Sequence, residues 1–301
     1  MILNYQNWEV TLRCIDSIYA YVNDIEFEII VVDNGSTTET PEKIKEYESC
    51  GNFSILFNSV NLGYAAGNNV GIAKAKELGC SHILITNSDV IFKKNSVEEL
   101  VAEIDLDPSL GIIAPKEINL DGTEFIPGVV NCITLREKYI CDTFLKGILK
   151  KEYKNYINSR QIKTGKYVFT VGGCCFMMTK KCADLITPLD ENTFLFHEEL
   201  IIGKRLEQVG LKASYTQKSE IVHGHGESTK TVKAFSYIKY IESELYFCRR
   251  YLGASNLALY PLIVIRKLSY IKGMVKYQDF RQPENREMLK RDIKKVMKEK
   301  W

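Results

Sequence analysis

Three strand-like runs in this chain end on polar side chains able to bind or react: EIIVVDNGS (residues 28–36), HILITNSD (82–89) and SEIVHGHGES (219–228). In open α/β sheets, ligands gather at the carboxyl ends of strands, so Asp33, Asp89 and His223 are the first candidates. Asp33, followed by Asn34, Gly35 and Ser36, can accept a hydrogen bond from a nucleobase N–H or a ribose hydroxyl, although the same residue types also build ordinary turns. Asn87-Ser88-Asp89 offers one carboxylate and two neutral oxygens. That set suits a hard divalent cation shared with substrate phosphates, and serves equally as a cap on the next element. His223 and His225, separated by one glycine, could face a metal together or sit in a loop; no acidic cluster in the local sequence completes a protein-only site. Glu198 and Glu199 open an amphipathic stretch, where the helix dipole alone favours acids. Beside a cleft, one of them could act as a general base if partly shielded from water.

A fourth segment, NLGYAAGNNVG (61–71), enters a helix with three glycines. It matches neither GxGxxG nor the P-loop, so its amides could meet a nucleotide while Gly63 and Gly67 could simply permit close packing.

The elements that must position these residues alternate in the manner of βα units around a largely parallel sheet. Strands are predicted over MILNY, Glu28 to Val32, Ser54 to Phe57 and Ile83 to Thr86. Helices are predicted over Trp8 to Tyr21, Pro41 to Cys50 (capped by Thr38 or Thr40), Ala66 to Leu78 and Ser96 to Ile104. Gly111 to Ala114 reads as a strand and Lys116 to Lys166 as a long excursion over a substrate site. Tyr167 to Thr179 returns to strand character around Gly172 and Gly173. Glu198 to Val209 is a helix stopped by Gly210, and Ala213 to Tyr215 and Glu220 to His223 are two short strands. Beyond Ser228 the chain is helical and basic.

Bulk properties exclude several classes. Of the 301 residues, 45% are apolar and 26% charged, the balance of a globular protein rather than a disordered one. The net charge of +2 is unevenly spread: residues 266–301 hold 12 basic and 5 acidic side chains, so the remainder is net −5. Nine cysteines, an odd number without a CxxC pair, argue against a disulfide framework or zinc cluster and for a reducing, cytoplasmic setting. The longest strongly apolar tract, Leu257 to Ile265, falls far short of the roughly 20 residues that span a bilayer. The basic residues match no nucleic-acid module, and nucleic acid is not an expected partner.

Taken in order, LNYQNW, VVDNGS, NLGYAAGNNVG, LITNSDV, VGGCCFMMTKK, FLFHEELIIGKRLEQVG and IVHGHGES resemble the inverting glycosyltransferases of family 2, over roughly residues 1 to 228. Within that family the chain looks most like the rhamnosyl- and galactofuranosyltransferase-like group that builds bacterial surface polysaccharides. The resemblance implies a GT-A fold, an α/β Rossmann-like sheet flanked by helices: a catalytic domain over 1–228 (nucleotide-binding half 1–100, acceptor half 101–228) and a basic helical extension over 229–301. It implies that Tyr5, Asp33 and Asn34 to Ser36 (Asn34, Gly35, Ser36) hold the nucleotide. Asn61, Gly63, Asn68 and Ser88 would line the donor site, with Gly172 and Gly173 near the acceptor and donor sugar; Asp89 would bind a divalent metal, Mn2+ or Mg2+, and His223 would be a further ligand to the metal or to the diphosphate. Glu199 would be the catalytic base, paired with Glu198.

Two positions depart from the family pattern: the base is Glu rather than the commoner Asp, and Ile201 stands where an acid is often found. The expected donor is a UDP- or dTDP-linked sugar, the acceptor a saccharide or lipid-linked saccharide. Leu257 to Tyr277 interleaves apolar residues with Arg266, Lys267, Lys272 and Lys276, which suits either the inner membrane surface or packing on the catalytic domain. Competing readings are a sugar-phosphate nucleotidyltransferase, whose Gly-rich loop and Lys after the first strand are missing from LNYQNW, and a non-catalytic nucleotide-sugar-binding protein.

Overall fold

The computed structural model describes residues 1–125, 128–141, 145–154, 167–224 and 233–299. The chain runs β1 (Ile2–Asn4), α1 (Trp8–Tyr21), β2 (Ile29–Asp33), α2 (Lys43–Glu48), β3 (Phe53–Phe57), α3 (Tyr64–Glu77), β4 (His82–Asn87), β5 (Val90–Phe92), α4 (Ser96–Asp105) and β6 (Leu110–Asn119). There follow β7 (Glu124–Phe125), β8 (Gly128–Val129), α5 (Leu135–Cys141), α6 (Leu145–Ile148), β9 (Thr170–Val171), β10 (Cys175–Thr179), α7 (Lys180–Ile186), α8 (Glu198–Val209) and β11 (Lys212–His223). The helices α9 (Lys233–Arg250), α10 (Asn256–Lys276) and α11 (Pro283–Lys298) close the described chain.

The main sheet has the order β3-β2-β1-β4-β10-β6-β11-β5, with β7 paired to β6. β3, β2, β1 and β4 are mutually parallel; β10 runs antiparallel to both β4 and β6, and β11 is parallel to β6. The carboxyl ends of β1, β2, β4, β6 and β11 therefore share one edge with the amino end of β10. Asn4, Asp33, Asn87, Cys175 and His223 lie along it. One apolar cluster packs α3, α7 and α8 on one face of the sheet, and a second packs α1 and α4 on the other. A third joins α9, α10 and α11 to Ile133 and to Ile201 of α8, so the C-terminal helices share a core with the helix bearing the paired glutamates. Ile201 is buried there. A cavity of about 760 Å3 beside Met1 and Ile2 lies at the opposite edge of the sheet, lined by none of the candidate residues.

Local chemistry explains the boundaries. Asn7 caps α1 by accepting from the Val10 amide, and Gly210, at φ +71°, stops α8 in the left-handed conformation as expected. Three expectations need correction. Neither Thr38 nor Thr40 caps α2; it starts after Glu42 with no side-chain cap. The excursion expected from Lys116 begins later, because β6 continues to Asn119 where it is held by β11 and β7. The two strands predicted around residues 213–223 are one strand, β11, with a register shift between Thr216 and Glu220.

Candidate functional site

The strand ends form a polar cradle. Asp33, buried at the tip of β2, accepts from Asn4 Nδ2 at 2.8 Å and from the Ser36 hydroxyl, whose oxygen accepts in turn from the Gln6 amide at 2.7 Å. Tyr5 stands exposed beside them. Asn34 serves the loop: Nδ2 donates to Asn61 Oδ1 and the Gly63 carbonyl, and Oδ1 accepts from Asn58 and the Leu62 amide. Gly35 and Gly63 are required by backbone geometry, both at positive φ (+78° and +85°). A Cβ on Gly35 would lie 2.3 Å from the Val60 carbonyl carbon, and one on Gly63 2.4 Å from the Phe194 carbonyl oxygen. Gly63 thus admits the segment that leads into α8, and the Tyr64 amide donates to that same oxygen at 2.9 Å. Asn68 is fully buried in α3, donating to the Tyr64 carbonyl; its Oδ1 has no partner among the described residues.

The cation candidates meet farther along the edge. Ser88 is buried and Asp89 half-buried in the turn between β4 and β5, and the Gly224 amide donates to the Asp89 carbonyl. His223, at the end of β11, places Nε2 3.4 Å from Asp89 Oδ1 and Nδ1 3.0 Å from Glu117 Oε2. The Cys174 thiol donates to Glu117 Oε1 at 2.9 Å. Burial works against a charge on His223, but the carboxylates of Asp89 and Glu117 outweigh it and raise its pKa to about 9. Here the imidazole is a cation donating to two carboxylates. A divalent ion replacing that proton would find an imidazole nitrogen and a carboxylate already converging, with Glu117 orienting the ring from behind, so these residues fit a divalent cation. One ligand atom each from Glu117, Cys174 and His223 lie within 4.8 Å of one another. The acidic partner missing from the local sequence is supplied across the sheet by Glu117, which sequence reasoning did not single out. Its only signal is that of an acid inside the apolar run from Leu110 to Ile118. His225 lies outside the described residues.

The paired glutamates open α8. Two successive non-glycine residues before them, Phe196 and His197, have left-handed φ values of +75° and +70°. Such residues cost about 1–3 kcal/mol each and persist only where their surroundings hold them. The surroundings are identifiable. The buried His197 ring accepts at Nε2 from Lys138 Nζ (2.9 Å) and lies against Tyr240 and Phe247. Lys138 in turn pairs with the buried Glu244 at 3.2 Å, which takes two bonds from Arg266 at 2.6 and 2.7 Å. Burial, then the nearby cations, hold His197 well below its usual pKa, so it is neutral. An ammonium can only donate, which leaves the imidazole proton on Nδ1. Ser243 adds a bond to the Leu195 carbonyl, and Tyr246 and Tyr251 both donate to Asp190. Lys138 and the α9 residues had no local sequence signal for this role.

The two carboxyls differ. Glu198 is buried, with Oε1 unpartnered among the described residues; burial and then the charge of Glu199 push its pKa well above the usual carboxylate range. Glu199 is half-buried; burial raises its pKa, opposed by the amides of Glu199 and Gly173. Glu198 is therefore the better proton holder and Glu199 the more readily ionised partner. Gly173 packs against this group: a Cβ there would lie 2.7 Å from Glu199 Oε1. Tyr64, not singled out in the sequence, donates to the Gly173 carbonyl at 2.5 Å and is kept a neutral phenol by burial and the two glutamates. The turn from Gly172 to Cys174 thus touches the candidate base through Gly173 and the His223 group through Cys174.

A mixed, mostly parallel sheet flanked by helices, with these groups along one edge, is the GT-A glycosyltransferase fold. The chain belongs to glycosyl transferase family 2, whose model matches residues 1–186. It is 25% identical over 260 residues to the low-salt glycan biosynthesis hexosyltransferase Agl10 of Haloferax volcanii, covering 85% of this chain and 75% of that protein. It is 23% identical over 211 residues to an N-acetylglucosaminyl-diphospho-decaprenol L-rhamnosyltransferase of Mycobacterium tuberculosis, covering 67% of each. Among solved structures, GalNAc-T7 with UDP, GalNAc and Mn2+ aligns with a TM-score of 0.58 at 18% identity, over 82% of this chain. The match spans 48% of the GalNAc-T7 chain. The mannosyltransferase PcManGT of Pyrobaculum calidifontis, with GDP-Man and Mn2+, aligns over 100% of this chain and 86% of its own with a TM-score of 0.56 at 12% identity. The family and relatives make the chain a glycosyltransferase; the two structures speak to the fold.

Proposed function

We propose that the protein transfers a sugar from a UDP- or dTDP-linked donor to a saccharide or lipid-linked saccharide, inverting the anomeric centre, in surface polysaccharide synthesis. The observation that carries this is the Gly172–Cys174 turn, which touches Glu199 through Gly173 and the Asp89–His223–Glu117 group through Cys174. A base and an anion-stabilising group thereby flank one turn. Glu199 removes the proton of the acceptor hydroxyl; that oxygen bonds to the anomeric carbon as the carbon–oxygen bond to the diphosphate breaks on the opposite face. The nucleoside diphosphate departs with the electron pair. A divalent cation held by Asp89 and His223 would neutralise charge growing on that diphosphate.

Asp33, the exposed Tyr5 and Ser36 serve the nucleotide, with Asn34, Gly35, Asn61 and Gly63 shaping the loop that receives it. Ser88 and Gly172 are assigned to the donor-sugar side, while Asn68, wholly buried in α3, acts from behind by bonding the Tyr64 carbonyl. Domain assignment follows the same division: a catalytic domain over 1–228 and an extension over 229–301 that works at the inner face of the membrane when the acceptor is carried on lipid.

The test is release of nucleoside diphosphate from a panel of UDP-, dTDP- and GDP-sugars with Mn2+, with and without saccharide acceptors. Pyrophosphate as product would make the protein a nucleotidyltransferase. Binding without turnover would make it a non-catalytic binder.

A further inference from the structure

Helix α10 buries one face and exposes another that is equally apolar. Leu259, Leu262, Ile263 and Tyr270 pack into the C-terminal core, while Leu257, Tyr260, Val264, Leu268, Ile271 and Val275 are 39% to 84% exposed. At 3.6 residues per turn, these six fall within about 80° of arc, a continuous outward stripe about 27 Å long. Singly exposed apolar residues are ordinary; a stripe with this register is not.

Its borders carry one sign of charge. Lys267 flanks the stripe on one side and Lys272 and Lys276 on the other, all three exposed, and α10 contains no Asp or Glu. A second copy of the chain would have to bring two such stripes together, setting lysine rim against lysine rim with no acid on either helix to pair them. An anionic lipid surface meets both demands: acyl chains take the stripe and phosphates take the lysines. No helix among the described residues is long and apolar enough to cross a membrane, so this helix would lie in the interface.

We propose that the exposed face of α10 is a docking surface for an anionic membrane, the helix lying parallel to the bilayer with Leu257 to Val275 inserted and Lys267, Lys272 and Lys276 at the headgroups. This rests on the membrane-side placement proposed above and names the surface and lipid chemistry responsible. The surface is distinct from the sheet edge where transfer would occur, and the third core joins the two through α9 and Ile201.

The experiment is co-sedimentation of the full chain with phosphatidylcholine vesicles with and without phosphatidylglycerol, at low salt. Three lysines at a charged surface predict about a 100-fold preference for the anionic vesicles, lost in high salt. Leu268→Ser with Ile271→Ser should weaken binding at least tenfold while leaving the circular dichroism spectrum and transfer to a soluble acceptor unchanged. Lys267→Glu with Lys272→Glu should remove the preference for anionic lipid. Wild-type protein that stays in the supernatant, or a Leu268→Ser/Ile271→Ser variant that binds like wild type, overturns the proposal. So does a dimer in solution that this variant dissolves, which would assign the stripe to a second copy. Vesicle binding without transfer on any donor would leave the docking surface standing and overturn the transferase reading.

Discussion

Glu244 holds two buried cations, and removing its charge should cost more than removing Lys138. Lys138, Glu244 and Arg266 are all buried, and the carboxylate takes bonds from both partners. Glu244→Gln keeps the shape but leaves Lys138 and Arg266 facing a neutral amide, which by analogy with other broken buried pairs costs about 3–5 kcal/mol. Lys138→Met leaves the two-bond Arg266 pair intact. Its main loss is the donor to His197 Nε2, about 1–3 kcal/mol. The double variant should be less destabilised than the sum of the singles, because each removes what the other leaves unbalanced. Urea unfolding at constant slope measures all three.

The pH dependence has a definite sign. Burial acts to raise the Glu244 pKa, but Arg266 and Lys138 outweigh it and hold it below the ordinary value of 4.5. The group therefore adds stability above that value, and the contribution fades as pH falls through the lower folded pKa; Glu244→Gln should flatten this acid limb. Because His197 leads into Glu198 and Glu199, Lys138→Met should also lower kcat with little change in the donor KM. A Lys138→Met cost equal to or above that of Glu244→Gln would refute this charge balance.

Three further outcomes test the site. Glu199→Gln should reduce transfer by about 10²–10⁴-fold, and the wild-type acid limb of kcat/KM should lie above 4.5 since burial raises the Glu199 pKa; full activity in the variant would remove it as base. Mn2+ binding should release a proton and tighten as pH rises toward 9, because His223 must lose the proton it shares with Asp89 and Glu117; calorimetry in buffers of different ionisation heat shows this, and pH-independent binding would place the ion elsewhere. Gly173→Ala would set a methyl 2.7 Å from Glu199 Oε1, so kcat should fall at least tenfold with the unfolding midpoint nearly unchanged; unaltered kcat would show that the carboxylate yields freely.

What could be read in advance was written in neighbouring residues. The predicted helix from Trp8 to Tyr21 coincides with α1 because Asn7 caps it and its apolar positions recur at helical spacing. The helix from Glu198 to Val209 coincides with α8 because Gly210 stops it. Asp33, Asp89 and His223 stood out because each follows or ends an apolar, strand-like run. Elements were misjudged where the deciding partner was remote: β6 continues past Ala114, and β11 bridges its irregular middle, because each is hydrogen-bonded to the other.

By itself, then, the sequence determined the alternation of strands and helices, the polar residues at the strand ends and, through the ordered motifs, the family. Tertiary structure alone decided who stands beside whom. Glu117 meets His223 across 106 residues and Lys138 meets His197 across 59, pairings set by strand order and by the packing of α9 and α10 on α8. Backbone periodicity and capping act over a few residues and leave a local trace. A carboxylate that orients a histidine from another strand acts through space, and its strand shows only an acid in an apolar run.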